Sequence, residues 1–214
     1  MRIVVATNNP GKLEELRALL PPGSVLGSLR DAGLDSPEES GATFEENALI
    51  KARAAASRGD AAIADDSGLV VDALDGHPGV RSSRFAGEDA SDADNNIKLL
   101  AMLDGVCDEL RGARFVSVVA LVTNDGHEYT ARGSVEGRIG HDARGSGGFG
   151  YDPLMIVCDP DAVQFNGRTM AELTLEEKNQ ISHRARAYRA LLLRLRDEGF
   201  SFETADAASG VVER

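Results

Sequence analysis

The stretch Ala61-Ala62-Ile63-Ala64-Asp65-Asp66-Ser67-Gly68-Leu69-Val70-Val71 decides how this chain is read. Two apolar runs flank a pair of acids, a serine and a glycine. The first run has the length and composition of a buried strand, with Asp65 and Asp66 at its end. A carboxylate withdrawn from water needs hydrogen bonds, an opposite charge or a cation. Strand ends are also where ligands of α/β proteins gather. The doublet is therefore read as functional, against the plainer alternative of a turn carrying two solvated acids.

Working outward, strand and helix signals alternate. Ile3 to Ala6 is a short buried strand, followed by loop chemistry at Thr7-Asn8-Asn9-Pro10-Gly11-Lys12. Leu13, Leu16, Leu19 and Leu20 then share one helical face, and Pro21-Pro22-Gly23 stops that helix. Thr43-Phe44-Glu45-Glu46 is a capping box that opens a second helix, closed by Gly59. The valine-rich run from Arg114 to Thr123, the turn Asn124-Asp125-Gly126 and the run from His127 to Ile139 read as a hairpin. Leu154 to Val157 is a further short strand. Thr174-Leu175-Glu176-Glu177 is a second capping box, with helical pattern continuing to Asp197. This alternation with one inserted hairpin predicts an α/β fold around a mixed sheet, in one domain over residues 1–198. The tail from Gly199, small and polar between Ala205 and Gly210, is expected to be peripheral or loosely ordered.

Composition narrows the partners. With 35 acidic against 23 basic residues the formal net charge is −12, which disfavours a nucleic-acid backbone or an anionic membrane as main partner. A small anionic ligand is still compatible, because it needs only a focused local site. No apolar stretch approaches the roughly 20 residues of a membrane span. Cys107 and Cys158 form no CxxC pair, which points to a reduced, cytoplasmic protein.

Four further segments can carry chemistry. Thr7 to Lys12 places backbone N–H groups and a lysine near a helix N-terminus, where an anion is favoured. It matches neither a Walker A loop nor GxGxxG, and an ordinary strand–helix connection explains it equally well. Glu38-Glu39-Ser40-Gly41 offers hard oxygen donors for magnesium, or simply partners for a helix dipole. Lys51 lies on the face of Asn47, as a phosphate ligand or a solvated surface lysine. In Gly145-Ser146-Gly147-Gly148-Phe149-Gly150-Tyr151-Asp152-Pro153, glycines permit close approach of a ligand. Phe149 or Tyr151 offers a stacking face there, and Asp152 a hydrogen-bonding edge. In Lys178-Asn179-Gln180-Ile181-Ser182-His183-Arg184, one continuous helix would point Lys178 and Arg184 about 120° apart. A break at Ser182, capping a new helix, brings His183 and Arg184 to a positive helix end.

Taken together, these segments resemble the inosine/xanthosine triphosphate pyrophosphatase (HAM1-like) family. The matching stretches run from Ala6 to Glu15, Glu39 to Ala48, Ala64 to Leu69, Pro78 to Val80 with Ser83 to Gly87, Gly147 to Pro153 and Lys178 to Arg184. They occur in family order; Ser40 stands where threonine is usual and keeps the hydroxyl. The resemblance implies an elongated α/β fold with two lobes around a nucleotide cleft, a homodimer, and magnesium-dependent hydrolysis of non-standard purine triphosphates to monophosphate and pyrophosphate. It implies Asp66 as catalytic acid beside the metal, and Glu39 as a second metal ligand. Substrate contacts are implied for Thr7, Asn8, Asn9, Pro10, Gly11, Lys12, Ser67, Phe149, Gly150, Tyr151, Asp152, Lys178, His183 and Arg184.

On this reading Lys12, Lys51, Lys178 and magnesium form the counter-field for the phosphates, and attack at the α-phosphorus releases pyrophosphate. Donors such as Arg184 hydrogen-bond to the purine 6-carbonyl and leave adenine unmatched. The alternatives are a nucleotide-binding regulator without turnover and a pyrophosphatase for modified pyrimidine nucleotides. A dinucleotide oxidoreductase is disfavoured by the missing GxGxxG.

Overall fold

The computed structural model describes residues 3–7, 9–19, 26–29, 33–35, 37–56 and 61–198. Asn8, Pro21-Pro22-Gly23, Gly59 and the tail from Gly199 lie outside the described residues. Among the described residues six strands form one mixed sheet: β1 (Ile3–Val5), β2 (Leu26–Ser28), β3 (Ala61–Val71), β4 (Gly112–Val122), β5 (Glu128–Ile139) and β6 (Met155–Val157), in the order β2-β1-β3-β4-β5-β6. β1 runs parallel to β2 and β3; the remaining pairings are antiparallel. The predicted hairpin is β4–β5, and Gly126 in its turn takes φ +85°, where glycine carries no Cβ penalty.

The strand bearing the acid doublet differs from expectation. β3 does not stop at Ala64 but runs eleven residues, pairing Asp65 with Val119 and Asp66 with Val118 of β4. The acids are therefore mid-strand, and side chains alternate between faces there. One face packs Ala62, Ala64, Val118 and Ala120 against Ala48, Ala52 and Ala55 of α2 (Phe44–Ala56). The other packs Ile63, Val119 and Leu121 against Ala187, Tyr188 and Leu191 of α5 (His183–Asp197), and Leu16 of α1 (Pro10–Leu19) joins this layer. A third apolar cluster, with Leu69, Phe115, Val135 and Leu154, fills the far half of the sheet.

Helix starts follow the local signals. Thr43 and Glu46 satisfy each other's backbone amides at the head of α2, and Thr174 and Glu177 do so for α4 (Leu175–Ile181). The break at Ser182 is present: α4 ends at Ile181, and the Ser182 hydroxyl accepts from Ala185 N at 3.2 Å to start α5. α3 (Asp92–Met102), which the sequence reading passed over, is capped reciprocally by Ser91 and Asp94. Cys107 and Cys158 are exposed and unpaired.

Candidate active site

Alternation along β3 sends the two acids to different layers. Asp66 faces α2, where Lys51 Nζ meets its Oδ1 at 2.8 Å and Asn47 Nδ2 donates to its Oδ2 at 3.2 Å. The same ammonium reaches Glu39 Oε1 at 2.8 Å, and Arg84 approaches Glu39 Oε2 at 3.5 Å. Asn47 Oδ1 accepts from Gly41 N at 2.8 Å, which ties the 38–41 loop to the acid. Lys51 is buried, so the surface reading of this lysine fails. Burial pushes Asp66 above the ordinary carboxylate range, against the opposing pull of Lys51. For Lys51, burial is outweighed by Asp66 and Glu39, which hold its proton more tightly.

Asp65 faces α5 and α1. It pairs with Lys12 at 3.0 Å and Arg184 Nε at 3.1 Å, and accepts from Ser67 Oγ at 3.1 Å. Arg184 also donates to Ser67 Oγ at 3.0 Å and ion-pairs with Glu15. Glu15 pairs with Lys178 at 2.8 Å, and Lys178 with Asp152 at 2.7 Å. Lys12, Asp65, Arg184, Glu15, Lys178 and Asp152 thus form one chain of alternating charge. Burial raises the proton affinity of Asp65 and Glu15, but their cations outweigh it and hold both below their usual values. Asp152 is displaced upward, because burial outweighs Lys178 there.

The end of this chain is aromatic. The Phe149 ring rests on the backbone of Gly11, where an added Cβ would lie 2.8 Å from two ring carbons. Lys178 Nζ stands 5.0 Å and Arg184 Cζ 5.7 Å from the ring centre, both in cation–π range. Phe149 N donates to Asp152 at 3.0 Å. His183 stacks on Phe115 with ring centres 5.0 Å apart, and its Nδ1 is buried without a partner among the described residues. Burial, with Arg184 and Lys178 nearby, keeps this imidazole neutral.

A cavity of about 250 Å³ runs between the two acids' surroundings and the aromatic end. The structure brings Thr7, Asn9, Lys12, Glu39, Lys51, Asp66, Ser67, Phe149, Gly150, Tyr151, Asp152, Lys178, His183 and Arg184 to its walls. Three expectations change. The helix N-terminal amides are not open to an anion: Asn9 Oδ1 accepts from Gly11 N at 2.9 Å and Lys12 N at 3.3 Å, Thr7 Oγ1 from Asn9 N at 3.1 Å, and Pro10 has no N–H. Tyr151 presents no stacking face, because it is buried in the core with its hydroxyl donating to Ser82 O at 2.8 Å. Lys178 belongs to the aromatic end, neutralised by Glu15 and Asp152, and not with Lys12 and Lys51. Glu15, Asn47, Ser82 and Phe115 were missed. Glu15 follows Lys12 by three positions on one helical face, a signal visible only once its partner from α5 is known.

Within this ion-pair network the formal charges cancel: five cations (Lys12, Lys51, Lys178, Arg84, Arg184) meet five carboxylates (Glu15, Glu39, Asp65, Asp66, Asp152), and Asp92 on the cavity wall adds a further negative charge. A polyanionic ligand needs positive charge beyond this. No three His, Cys, Asp or Glu side chains converge on one point among the described residues. Two carboxylates around one ammonium, Glu39 and Asp66, suit a hard cation such as magnesium, which binds through one or two carboxylates with phosphate oxygens and water completing its shell.

A family model described as the Ham1 family matches residues 3–193. A dITP/XTP pyrophosphatase of Geobacter sulfurreducens is 53% identical over 190 residues, covering 87% of this chain and 92% of that protein. One from Thermus thermophilus is 50% identical over 199 residues, covering 92% and 93%. Among solved structures, a HAM1 protein from Coxiella burnetii superposes with TM-score 0.81 at 42% identity, covering 92% of this chain and 99% of its own. A nucleoside-triphosphatase, dITP/XTP pyrophosphatase, from Mycobacterium abscessus does so with TM-score 0.72 at 48% identity, covering 90% and 99%.

Proposed function

The chain belongs to the Ham1 family, and from that premise we infer that it hydrolyses non-standard purine nucleoside triphosphates, inosine, deoxyinosine and xanthosine triphosphate, to the monophosphate and pyrophosphate. The observation that carries the reading is one cavity with a buried carboxylate of raised proton affinity, Asp66, at one end and a ring backed by cations, Phe149, at the other. Such a cavity can hold a reacting phosphate and a flat base at once.

Phosphoryl transfer is mainly positioning and charge stabilisation. Lys51 and Lys12 bind phosphate oxygens near Asp66. Glu39 and Asp66 would hold magnesium, which would supply the positive charge that the ion-pair network lacks. Asp66 stands where it can take the proton of the attacking water. The water oxygen bonds to the α-phosphorus, the bond to the bridging oxygen breaks, and pyrophosphate leaves with the electron pair. At the other end the base lies against Phe149, with the unpartnered His183 Nδ1 available to its edge. Arg184 spends three of its N–H directions on Asp65, Glu15 and Ser67, so it orients the base pocket as much as it donates to the base.

By its resemblance to the family, the protein is further proposed to act as a homodimer in the cytoplasm. No helix of the described residues is long and apolar enough to cross a membrane. Phosphorus NMR with magnesium and inosine, xanthosine, guanosine or adenosine triphosphate tests the reading. Pyrophosphate is expected mainly from the first two, and turnover should collapse when EDTA removes the metal. Orthophosphate as first product would place the cut at the γ-phosphate and overturn the mechanism.

A further inference from the structure

Besides the Phe149 amide held by Asp152, the aromatic wall of the cavity is braced at its next residue. Gly150, between Phe149 and Tyr151, takes φ +61°, a conformation glycine adopts without penalty. Both of its backbone polar groups are committed to α3. Its N–H donates to Asp92 Oδ2 at 2.7 Å, and its carbonyl accepts from Asn96 Nδ2 at 3.0 Å. Asp92 and Asn96 stand one helical turn apart on one face, so they grip the glycine from two levels. Only the amide NH₂ can serve a carbonyl, which fixes the orientation of the Asn96 side chain.

The helix that supplies this grip is itself anchored. Ser91 and Asp94 cap it, and the intervening Asn95 accepts from Ala86 N at 2.8 Å and donates to Ser83 O at 3.1 Å. Tyr151, on the other side of Gly150, is pinned to Ser82 O. Asp92 also lines the cavity, next to the loop it holds. Neither Asp92 nor Asn96 belongs to the ion-pair chain or touches the Asp66 end.

We propose that Asp92 and Asn96 are positioning residues: a two-point latch that fixes the two peptide planes flanking Gly150 and thereby the plane of Phe149 on which the purine base stacks. Without it the glycine-rich segment 145–150 has several backbone states, and ring placement costs entropy each time a base binds. The effect is confined to the base end, because the phosphate-binding lysines hang on α1 and α2. The inference rests on the hydrolase reading for the identity of the base.

Calorimetry with two probes in magnesium buffer tests it: inosine monophosphate, which carries the base, and inorganic triphosphate, which does not. Asp92→Ala and Asn96→Ala should each weaken inosine monophosphate about fivefold while triphosphate affinity stays within about twofold. Asp92→Asn keeps an acceptor oxygen and should recover most of the loss. Unchanged monophosphate affinity in both alanine variants overturns the latch, as does a parallel loss for triphosphate, which would report general loosening. A wild-type protein that binds no inosine monophosphate overturns it too. Inosine triphosphate turnover by the wild type reads the hydrolase assignment separately: its absence with monophosphate binding intact would sink that assignment and not the latch.

Discussion

Asp65 and Asp66 are neighbours in sequence with opposite electrostatics. Asp65 meets Lys12 and Arg184 and is held as a carboxylate; Asp66 has Lys51 but is lifted by burial. Asp65 is held charged among cations, and on the proposed reading Asp66 is the acid that faces the reacting phosphate. Asp66→Asn should lower turnover of inosine triphosphate about a thousandfold. Its melting temperature should fall only modestly, because buried Lys51 loses one counter-charge but keeps Glu39 and an amide oxygen as acceptors. Near-normal turnover would remove Asp66 from the reaction. The doublet was legible as unusual from sequence, since two acids among apolar residues need partners. The division of labour was not, because it depends on β3 continuing through Gly68 to Val71 and so alternating across both layers. Glu15 was similarly hidden: its cations, Lys178 and Arg184, are distant from it in sequence.

At the level of elements, the short connection at Ser182 aims the site. It ends α4 with Lys178 turned toward Glu15 and starts α5 with His183 and Arg184 inward. Ser182→Ala removes the cap and should cost about 1 kcal/mol in urea unfolding. Gly133 of β5 is less forgiving. A Cβ there would collide with the His183 carbonyl oxygen and the Ala187 amide, backbone atoms that cannot step aside. Gly133→Ala should therefore cost about 2–3 kcal/mol in the same experiment and move α5 off the sheet. If the two variants prove equally mild, the close seating of α5 on β5 is wrong. Capping boxes and the Asn124-Asp125-Gly126 turn were readable because each is a signal within a few residues. The strand order β2-β1-β3 was not, because it is set by pairing between distant segments. α3 escaped because it buries Asn95 and Leu99 while exposing Ile97 and Met102, so no apolar stripe marks it.

For the molecule as a whole, the buried charge chain makes folding depend on pH. In the native state Glu15 titrates below its ordinary value of 4.5, because Arg184 and Lys178 outweigh burial. Below the unfolded value the unfolded chain takes up a proton that the native one refuses, so this contribution is present at neutral pH and is lost on acidification. Glu15→Gln cannot titrate. It should be less stable by about 3 kcal/mol at neutral pH, since Arg184 and Lys178 lose a counter-charge. Its urea midpoint should then fall less steeply than the wild type's between about pH 5 and about pH 3. Parallel curves for the two proteins would show that Glu15 is not held ionised. The balanced ion-pair network sits within a chain of net charge −12, and this has a kinetic corollary. A polyphosphate must approach against a repulsive field and finds attraction only at the last step. Enzymes that steer anionic substrates slow down as salt is added. Here added salt screens repulsion instead, with a Debye length of about 10 Å at 0.1 M. The encounter rate of this protein with its substrate should rise with moderate ionic strength.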